Sequence, residues 1–300
     1  MKAVRYHRYG GPEVLQVDEV PEPHAGPGEV RVKVQAAGLN PIDVKMREGM
    51  MSGGSSLPGP VITGLEAAGI VDEVGQGVTG TEVGDAVLGF TVAGAAAEHA
   101  VLNHWAHKPD NVSVVEAAGM PLVSETAARA LRELDVKAGD TVLVHGASGG
   151  VGQAAIQLAR HAGASVIGTA SESNHDLLRS LGATPTSYAE GLPARVAALA
   201  PDGVDAVFDA AGTSLDELLE IAGDPGRVLT IVNFAAGGLG VRVSGGGSRA
   251  YDALDQVADL GGKGSFTLRV AGTFDLAEAA AAETLTATGH AGGKVVLTVS

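Results

Sequence analysis

The stretch TVLVHGASGGVGQAAIQLARHAG, residues 141–163, decides the fold. TVLVHG is an apolar run of strand length, and after it the spacing changes: Val151, Ala154, Ala155, Leu158 and Ala159 recur on one face of a helix. Between strand and helix lies GASGGVG, carrying Gly146, Gly149 and Gly152. In a strand-turn-helix unit the first glycine makes the tight turn. The second lets a diphosphate approach the backbone, and the third lets the helix pack on the strand. The helix start adds free N–H groups and a partial positive charge. Gly146, Ser148, Gly149, Gly150, Val151 and Gly152 are therefore the candidate cradle for a dinucleotide; the plainer alternative is a turn that only packs helix on strand.

Working outward, SVIGTA (165–170) reads as a second strand, HDLLRSLG as a second helix, and DAVFDA (205–210) and RVLTIV (227–232) as further strands. Repeated βα units imply a parallel, doubly wound Rossmann sheet, here expected over residues 123–264. Toward the N-terminus the texture is different. EVRVKVQAAG (29–38) alternates, with Val30, Val32 and Val34 on one face, and further β-rich, Gly- and Pro-punctuated segments follow up to about residue 103. One short helix interrupts them in GLNPIDVKMREG, where Asn40 caps, Pro41 takes the first helical position and Gly49 closes the end. After residue 264 the strand-like GSFTLRVAG and GKVVLTV flank an Ala-rich helix, so the C-terminus is expected to rejoin the first unit. The expectation is α/β: a β-rich unit of 1–122 and 265–300 around the Rossmann unit.

Composition narrows the function. With 20 basic against 35 acidic residues the net charge is −15, and no dense Lys/Arg stretch is present to track a phosphate backbone, so nucleic acid and anionic membranes are poor partners. The absence of cysteine removes thiolate nucleophiles, iron–sulfur clusters and every Cys-containing zinc site. Neither an apolar signal region nor a run of membrane-spanning length is found, so a cytoplasmic location is expected. His99, His104 and His107 do not fall two to a helical turn and read as ordinary histidines.

The tip of the second strand selects the dinucleotide. An acid there hydrogen-bonds the ribose diol of NAD and repels the extra phosphate of NADP. That position is Ala170, followed by Ser171, Ser173, Asn174 and His175, all able to donate to a phosphate oxygen, so NADP(H) is expected, with Glu172 as the opposing feature. The same turn also satisfies G-x-S-x-G, a hydrolase nucleophile elbow, and the order Ser148, Asp209, His290 fits the corresponding triad. Against it, such an elbow follows several strands and helices of its own sheet, whereas here about 120 residues of β-rich turns come first.

These segments together resemble the medium-chain dehydrogenase/reductase superfamily, of the zinc-independent quinone oxidoreductase type. The matching stretches are MKAVRYHRYGGPEVLQV, AAGLNPIDVKMREG, AAGIVDEVGQGVTGTEVGDAVLGF, AGDTVLVHGASGGVG, VIGTAS, LGAT, GVDAVFDAAG and GHAGGKVVL, and they span nearly the whole chain. The resemblance implies a GroES-like catalytic domain built from both chain ends, a Rossmann domain between, and an active site in the cleft. Zinc alcohol dehydrogenases of the superfamily carry a Cys near the position of Asn40 and a His where Leu65 stands; neither is present, and no metal is expected. What remains is hydride transfer to a quinone or an α,β-unsaturated carbonyl. Asn40, Asp43 and Lys45 are the candidates for lining the cleft, with helix capping as the alternative for the first two. Relatives often place a Tyr near position 45 or 51, but Lys45 and Met51 stand here, leaving Lys45 or solvent as proton source. The resemblance also assigns Thr126 to the nicotinamide end and Tyr188 to the adenine side. It sets Ala211, Gly212, Asn233 and Phe234 along ribose and nicotinamide, lets Lys294 face the cleft, and suggests a homodimer through GVRVSG (240–245). A serine hydrolase using Ser148 and a non-catalytic NADPH sensor remain as alternatives.

Overall fold

The computed structural model describes residues 1–247 and 249–300. The chain divides into two compact units, Met1–Leu122 with Leu254–Ser300, and Val123–Ala253. The return to the first unit comes earlier than the 265 read from the sequence. Helix Ala253–Gly262 is anchored to the first unit, where Asn111 Nδ2 donates to the Gly261 carbonyl at 3.0 Å.

The first unit is built around strand Val30–Leu39. Its Val30, Val32 and Val34 are buried while Lys33 and Gln35 face solvent, as the period-two pattern demands. The strand pairs antiparallel with Glu66–Val74 on one edge. On the other it meets Lys294–Thr298 at its C-terminal half and His99–His107 at its N-terminal half, so the sheet curls back on itself. Val270–Asp275 adds a parallel edge next to Lys294–Thr298. Both chain ends thus supply one β-rich body. Helix Pro41–Arg47 follows the central strand directly, and Gly49 leaves it at φ +77°. Beneath this helix Arg47 is fully buried; its Nε donates to Glu283 Oε2 at 2.6 Å and its guanidinium also reaches the Gly10 carbonyl. Glu283 Oε1 accepts from Thr63 Oγ1 at 2.8 Å, so one carboxylate joins three distant stretches of chain.

The second unit is a six-stranded, wholly parallel sheet. Its strands run in the order Thr184–Thr186, Ser165–Thr169, Thr141–His145, Ala206–Asp209, Val228–Thr230, Arg242–Val243. Chain order reverses between Thr141–His145 and Ala206–Asp209, the switch point at which such sheets open a crevice beyond their carboxyl ends. Leu143, Ile167, Val207, Val228 and Leu218 fill one face of it. Among the described residues, no helix is long and apolar enough to cross a membrane.

Removing one partner of a buried ion pair strands the other. Glu283→Ala leaves the buried Arg47 with only the longer 3.6 Å contact to the partly exposed Glu48 and is expected to cost about 3 kcal/mol, read as a shift in the urea unfolding midpoint against the parent chain.

Candidate active site

Gly146 leaves strand Thr141–His145 at φ +81°, a conformation that side chains with a Cβ rarely adopt. Helix Gly150–His161 then starts against the strand it follows. A Cβ on Gly152 would lie 2.4 Å from the Gly146 carbonyl oxygen and 2.6 Å from Ala147 Cα, so only glycine permits this approach. Gly149 is different: the nearest atom to a Cβ there is the Gly146 oxygen at 3.4 Å, which leaves its outer side open. The first helical hydrogen bond runs from Gln153 N to Gly149 O, so the N–H groups of Gly150, Val151 and Gly152 have no partner within the helix. Gln153 Nε2 donates to the Ser148 carbonyl at 2.7 Å and fixes the turn from beneath. Two positions close the backbone and one leaves it open toward an anion: the residues present fit a dinucleotide diphosphate.

Around this turn the carboxyl ends of the strands are cross-tied. Asp209 Oδ1 accepts from the N–H groups of Ala211 and Gly212, and Oδ2 accepts from Thr230 Oγ1, whose oxygen in turn accepts from Val232 N and Asn233 N. The backbone of the four residues assigned to ribose and nicotinamide, Ala211, Gly212, Asn233 and Phe234, is thereby shaped by one buried carboxylate and one threonine. Phe234 is 53% and Tyr188 49% exposed, so neither is a core residue and both rings are available to a ligand. Thr126 lies within helix Met120–Glu133, not at its cap, and its hydroxyl donates to Glu125.

At the tip of Ser165–Thr169 a small hydroxyl and amide cluster is assembled. Ser171 Oγ lies 3.1 Å from Ser173 Oγ and accepts from Asn174 Nδ2 at 3.0 Å, while His175 Nε2 donates to the Ala170 carbonyl at 3.3 Å. No carboxylate occupies the tip itself; Glu172 is exposed beside it.

In the first unit the three residues expected to line a cleft part company. Asn40 is buried, with Nδ2 donating to Glu66 Oε1 at 2.7 Å and Oδ1 accepting from Lys294 Nζ at 2.6 Å. Asp43 is buried as well and caps the helix, accepting from Asn40 N at 2.8 Å. The capping alternative has its geometry here: a capping box joins Asn40 and Asp43 at the start of the helix. Burial away from any paired cation raises the Asp43 carboxyl to about 8, with Glu283 and Glu66 adding repulsion that Lys294 partly offsets. Lys45 is half-buried; its carbonyl accepts from Met50 N at 2.9 Å, and its ammonium makes no hydrogen bond or ion pair among the described residues. Lys294, expected to face the cleft, is buried in a polar network. Its ammonium donates to the Leu39 carbonyl, Asn40 Oδ1 and Glu66 Oε1 at 3.0, 2.6 and 2.6 Å, which uses all three of its hydrogens inside the first unit. Glu66 Oε2 accepts from Leu122 N at 2.7 Å, completing the network.

The partners of the hydrolase candidates do not favour that alternative. Both oxygens of Asp209 are taken within the second unit, and His290 is an exposed turn residue whose Nδ1 donates to the carbonyl of Thr288. The residues sequence reading missed are His145, Thr169, Asp209 and Thr230 as cross-ties, and Glu66 as the partner of Lys294. The position of His145 next to the first glycine of the motif was the one available signal.

Two family models match the chain: the alcohol dehydrogenase GroES-like domain over residues 26–108 and the zinc-binding dehydrogenase over 150–244. A solved NAD-dependent alcohol dehydrogenase superposes with a TM-score of 0.88 at 32% identity, covering 100% of both chains. The quinone oxidoreductase of Coxiella burnetii does so with a TM-score of 0.85 at 30% identity, covering 100% of this chain and 99% of that one. The NADPH-dependent alkenal/one oxidoreductase of Arabidopsis thaliana is 37% identical over 245 residues, 77% of this chain and 62% of that protein. The chain spans only 6% of a pikromycin polyketide synthase component of Streptomyces venezuelae to which it is 41% identical over 216 residues.

Two pairs of measurements follow from this geometry. Gly152→Ala is expected to lower stability by about 1–3 kcal/mol because backbone must move. Gly149→Ala should leave the unfolding midpoint in place and weaken dinucleotide binding about tenfold, read by titrating the protein's fluorescence. A carboxyl with a raised folded pKa weakens the fold as it ionises, so thermal stability should fall as pH rises from the ordinary Asp value of 3.8 toward about 8. Asp43→Asn, which keeps an acceptor for Asn40 N, should flatten that fall in a melting series across this range.

Proposed function

The chain belongs to the medium-chain dehydrogenase/reductase superfamily, quinone oxidoreductase-like, and within it we propose a zinc-independent, NADPH-dependent oxidoreductase that reduces quinones or α,β-unsaturated carbonyls. The observation that carries the proposal is the glycine turn at the switch point of a parallel sheet. Its Gly149 is open and its Gly146 and Gly152 are closed. When bound there, a reduced nicotinamide supplies a hydride, and the acceptors proposed are electrophilic enough to take it without a metal.

The chain's own part is binding, orientation and charge. Free N–H groups at the start of Gly150–His161 meet the diphosphate. Ser171, Ser173, Asn174 and His175 supply donors for the 2′-phosphate of NADPH, where no carboxylate at the strand tip competes. Relatives carry both NAD and NADPH in their names, so this tip is the ground for preferring NADPH. Tyr188 and Phe234 offer exposed rings to adenine and nicotinamide. Thr126, Ala211, Gly212 and Asn233 line the remainder of the same crevice in this reading, and Lys45, with an unengaged ammonium, is the proposed proton donor in the first unit.

Zinc does not fit the donor set that stands where zinc relatives hold their metal. Asn40 and Glu66 already surround the Lys294 ammonium, and a divalent ion placed among them meets a like charge and no thiolate or imidazole. The edge strand Arg242–Val243 has a free side in the second unit and is the surface through which we place a homodimer. A cytoplasmic setting is part of the same proposal.

The test is NADPH consumption, followed by absorbance, against a panel of quinones, enones and simple alcohols, with NADH and a chelator in parallel. Turnover of quinones or enones that survives chelation and favours NADPH is expected. Activity confined to alcohols, or lost on chelation, removes the proposal, and tight NADPH binding with no acceptor turned over makes the chain a sensor instead.

A further inference from the structure

His145 ends the strand that feeds the glycine turn, and its ring is buried across the switch point. Nδ1 lies 2.9 Å from Thr169 Oγ1, at the end of the neighbouring strand on one side. Nε2 lies 2.9 Å from Thr213 Oγ1, in the loop after the neighbouring strand on the other. Thr169 Oγ1 also accepts the N–H of Gly146 at 3.1 Å, so the ring is joined to the turn through a single hydroxyl. Any change in the ring is two hydrogen bonds away, through that hydroxyl, from the backbone that would hold a diphosphate.

The choice of partners is informative. Carbonyls or amide N–H groups on both sides would fix one protonation state, because each can only accept or only donate. Hydroxyls do both. A neutral ring here accepts from one threonine and donates to the other, and a protonated ring donates to both once a single hydroxyl rotates. The pair of threonines therefore accommodates either charge state without moving the ring. The charged groups acting on it are Asp209, at the end of Ala206–Asp209, and Glu217, on helix Leu215–Ala222, both favouring the cation. Strand Ser165–Thr169 contributes only the Thr169 hydroxyl, and the first turn of Gly150–His161 carries no acid. Burial outweighs those two carboxylates and holds the ring below its ordinary pKa, so that it is neutral in the free protein near pH 7.

We propose that His145 is a positioning residue for the cofactor's diphosphate, and that its ring takes up one proton from solvent when the diphosphate seats on the glycine turn. The inference rests on the dinucleotide reading above. Two negative charges arriving beside a ring that sits between amphoteric partners favour the imidazolium. The nitrogen that accepts in the neutral ring gains the proton, and its threonine turns from donor to acceptor. Cofactor affinity then rises as pH falls, by up to tenfold per pH unit over the range in which the ring titrates.

The experiment is calorimetric titration of NADPH into the full chain and into His145→Gln, each in two buffers of different ionisation heat, which counts protons taken up. The 2′-phosphate of NADPH contributes equally to both proteins, so the difference belongs to the ring. Up to one additional proton in the parent is expected, together with a steeper tightening of Kd between pH 8 and pH 6. Equal proton counts and parallel pH profiles in two binding-competent proteins overturn the inference. Where His145→Gln does not fold, the His145 ring resonances of the parent are titrated with and without NADPH: an upward move of the midpoint supports the inference and an unmoved midpoint ends it. Thr213→Ser should keep the parent's proton count and Thr213→Val should lower it. A parent chain that fails to bind NADPH at all removes the dinucleotide reading instead, which is a different result from any of these.

Discussion

A helix can lie against the backbone of the strand that leads into it only where no side chain stands between them. At Gly152 the space for a Cβ is already filled by the carbonyl of Gly146 and the backbone of Ala147. That single close approach sets the angle at which helix Gly150–His161 leaves the sheet. It turns the unbonded N–H groups of the helix start outward and leaves Gly149 facing open space. The cross-ties from Asp209 to Ala211 and Gly212, and from Thr230 to Asn233, shape the neighbouring strand ends around the same crevice.

The first unit solves a different problem, the burial of five carboxyl, ammonium and guanidinium groups in a largely apolar body. Lys294 is matched to Glu66 and Arg47 to Glu283, each at 2.6 Å. The fifth, Asp43, has no cation of its own, and its carboxyl is therefore raised to about 8 and is protonated at neutral pH. The sum is an interior without net charge. Asn40 bridges two of the groups and so orients them, which is why a residue at the start of a helix carries so many contacts and presents so little surface.

How far all this was readable in the one-dimensional chain depended on the range of the interaction. The strand at 141–145, the turn, and the helix after it are local, and glycine spacing with helical periodicity is enough to find them. The alternation of Val30, Val32 and Val34 identified the buried face of the central strand for the same reason. Lys294 is the opposite case. Its partners Glu66 and Asn40 lie more than two hundred residues away, and nothing in GGKVVL distinguishes a buried ammonium from an exposed one. Likewise helix Ala253–Gly262 continues the βα rhythm and reads as part of the sheet unit. Its contacts with the 109–120 stretch, the hydrogen bond from Asn111 among them, reveal where it belongs. Tyr188 and Phe234 show the limit of composition: only the family resemblance singled them out, and their exposed rings are a feature that composition does not reveal.

The pairing of Lys294–Thr298 with Val30–Leu39 has a consequence for biosynthesis. The second unit is made from one unbroken stretch and is complete when residue 253 has left the ribosome, whereas the first lacks an edge of its main sheet until the last few residues emerge. The earlier-made strands can pair with one another, but the edge at Ala36–Leu39 must stay open while the later-made body folds. During that interval the open edge at Ala36–Leu39 is the part of the nascent sheet most exposed to pairing with a foreign strand.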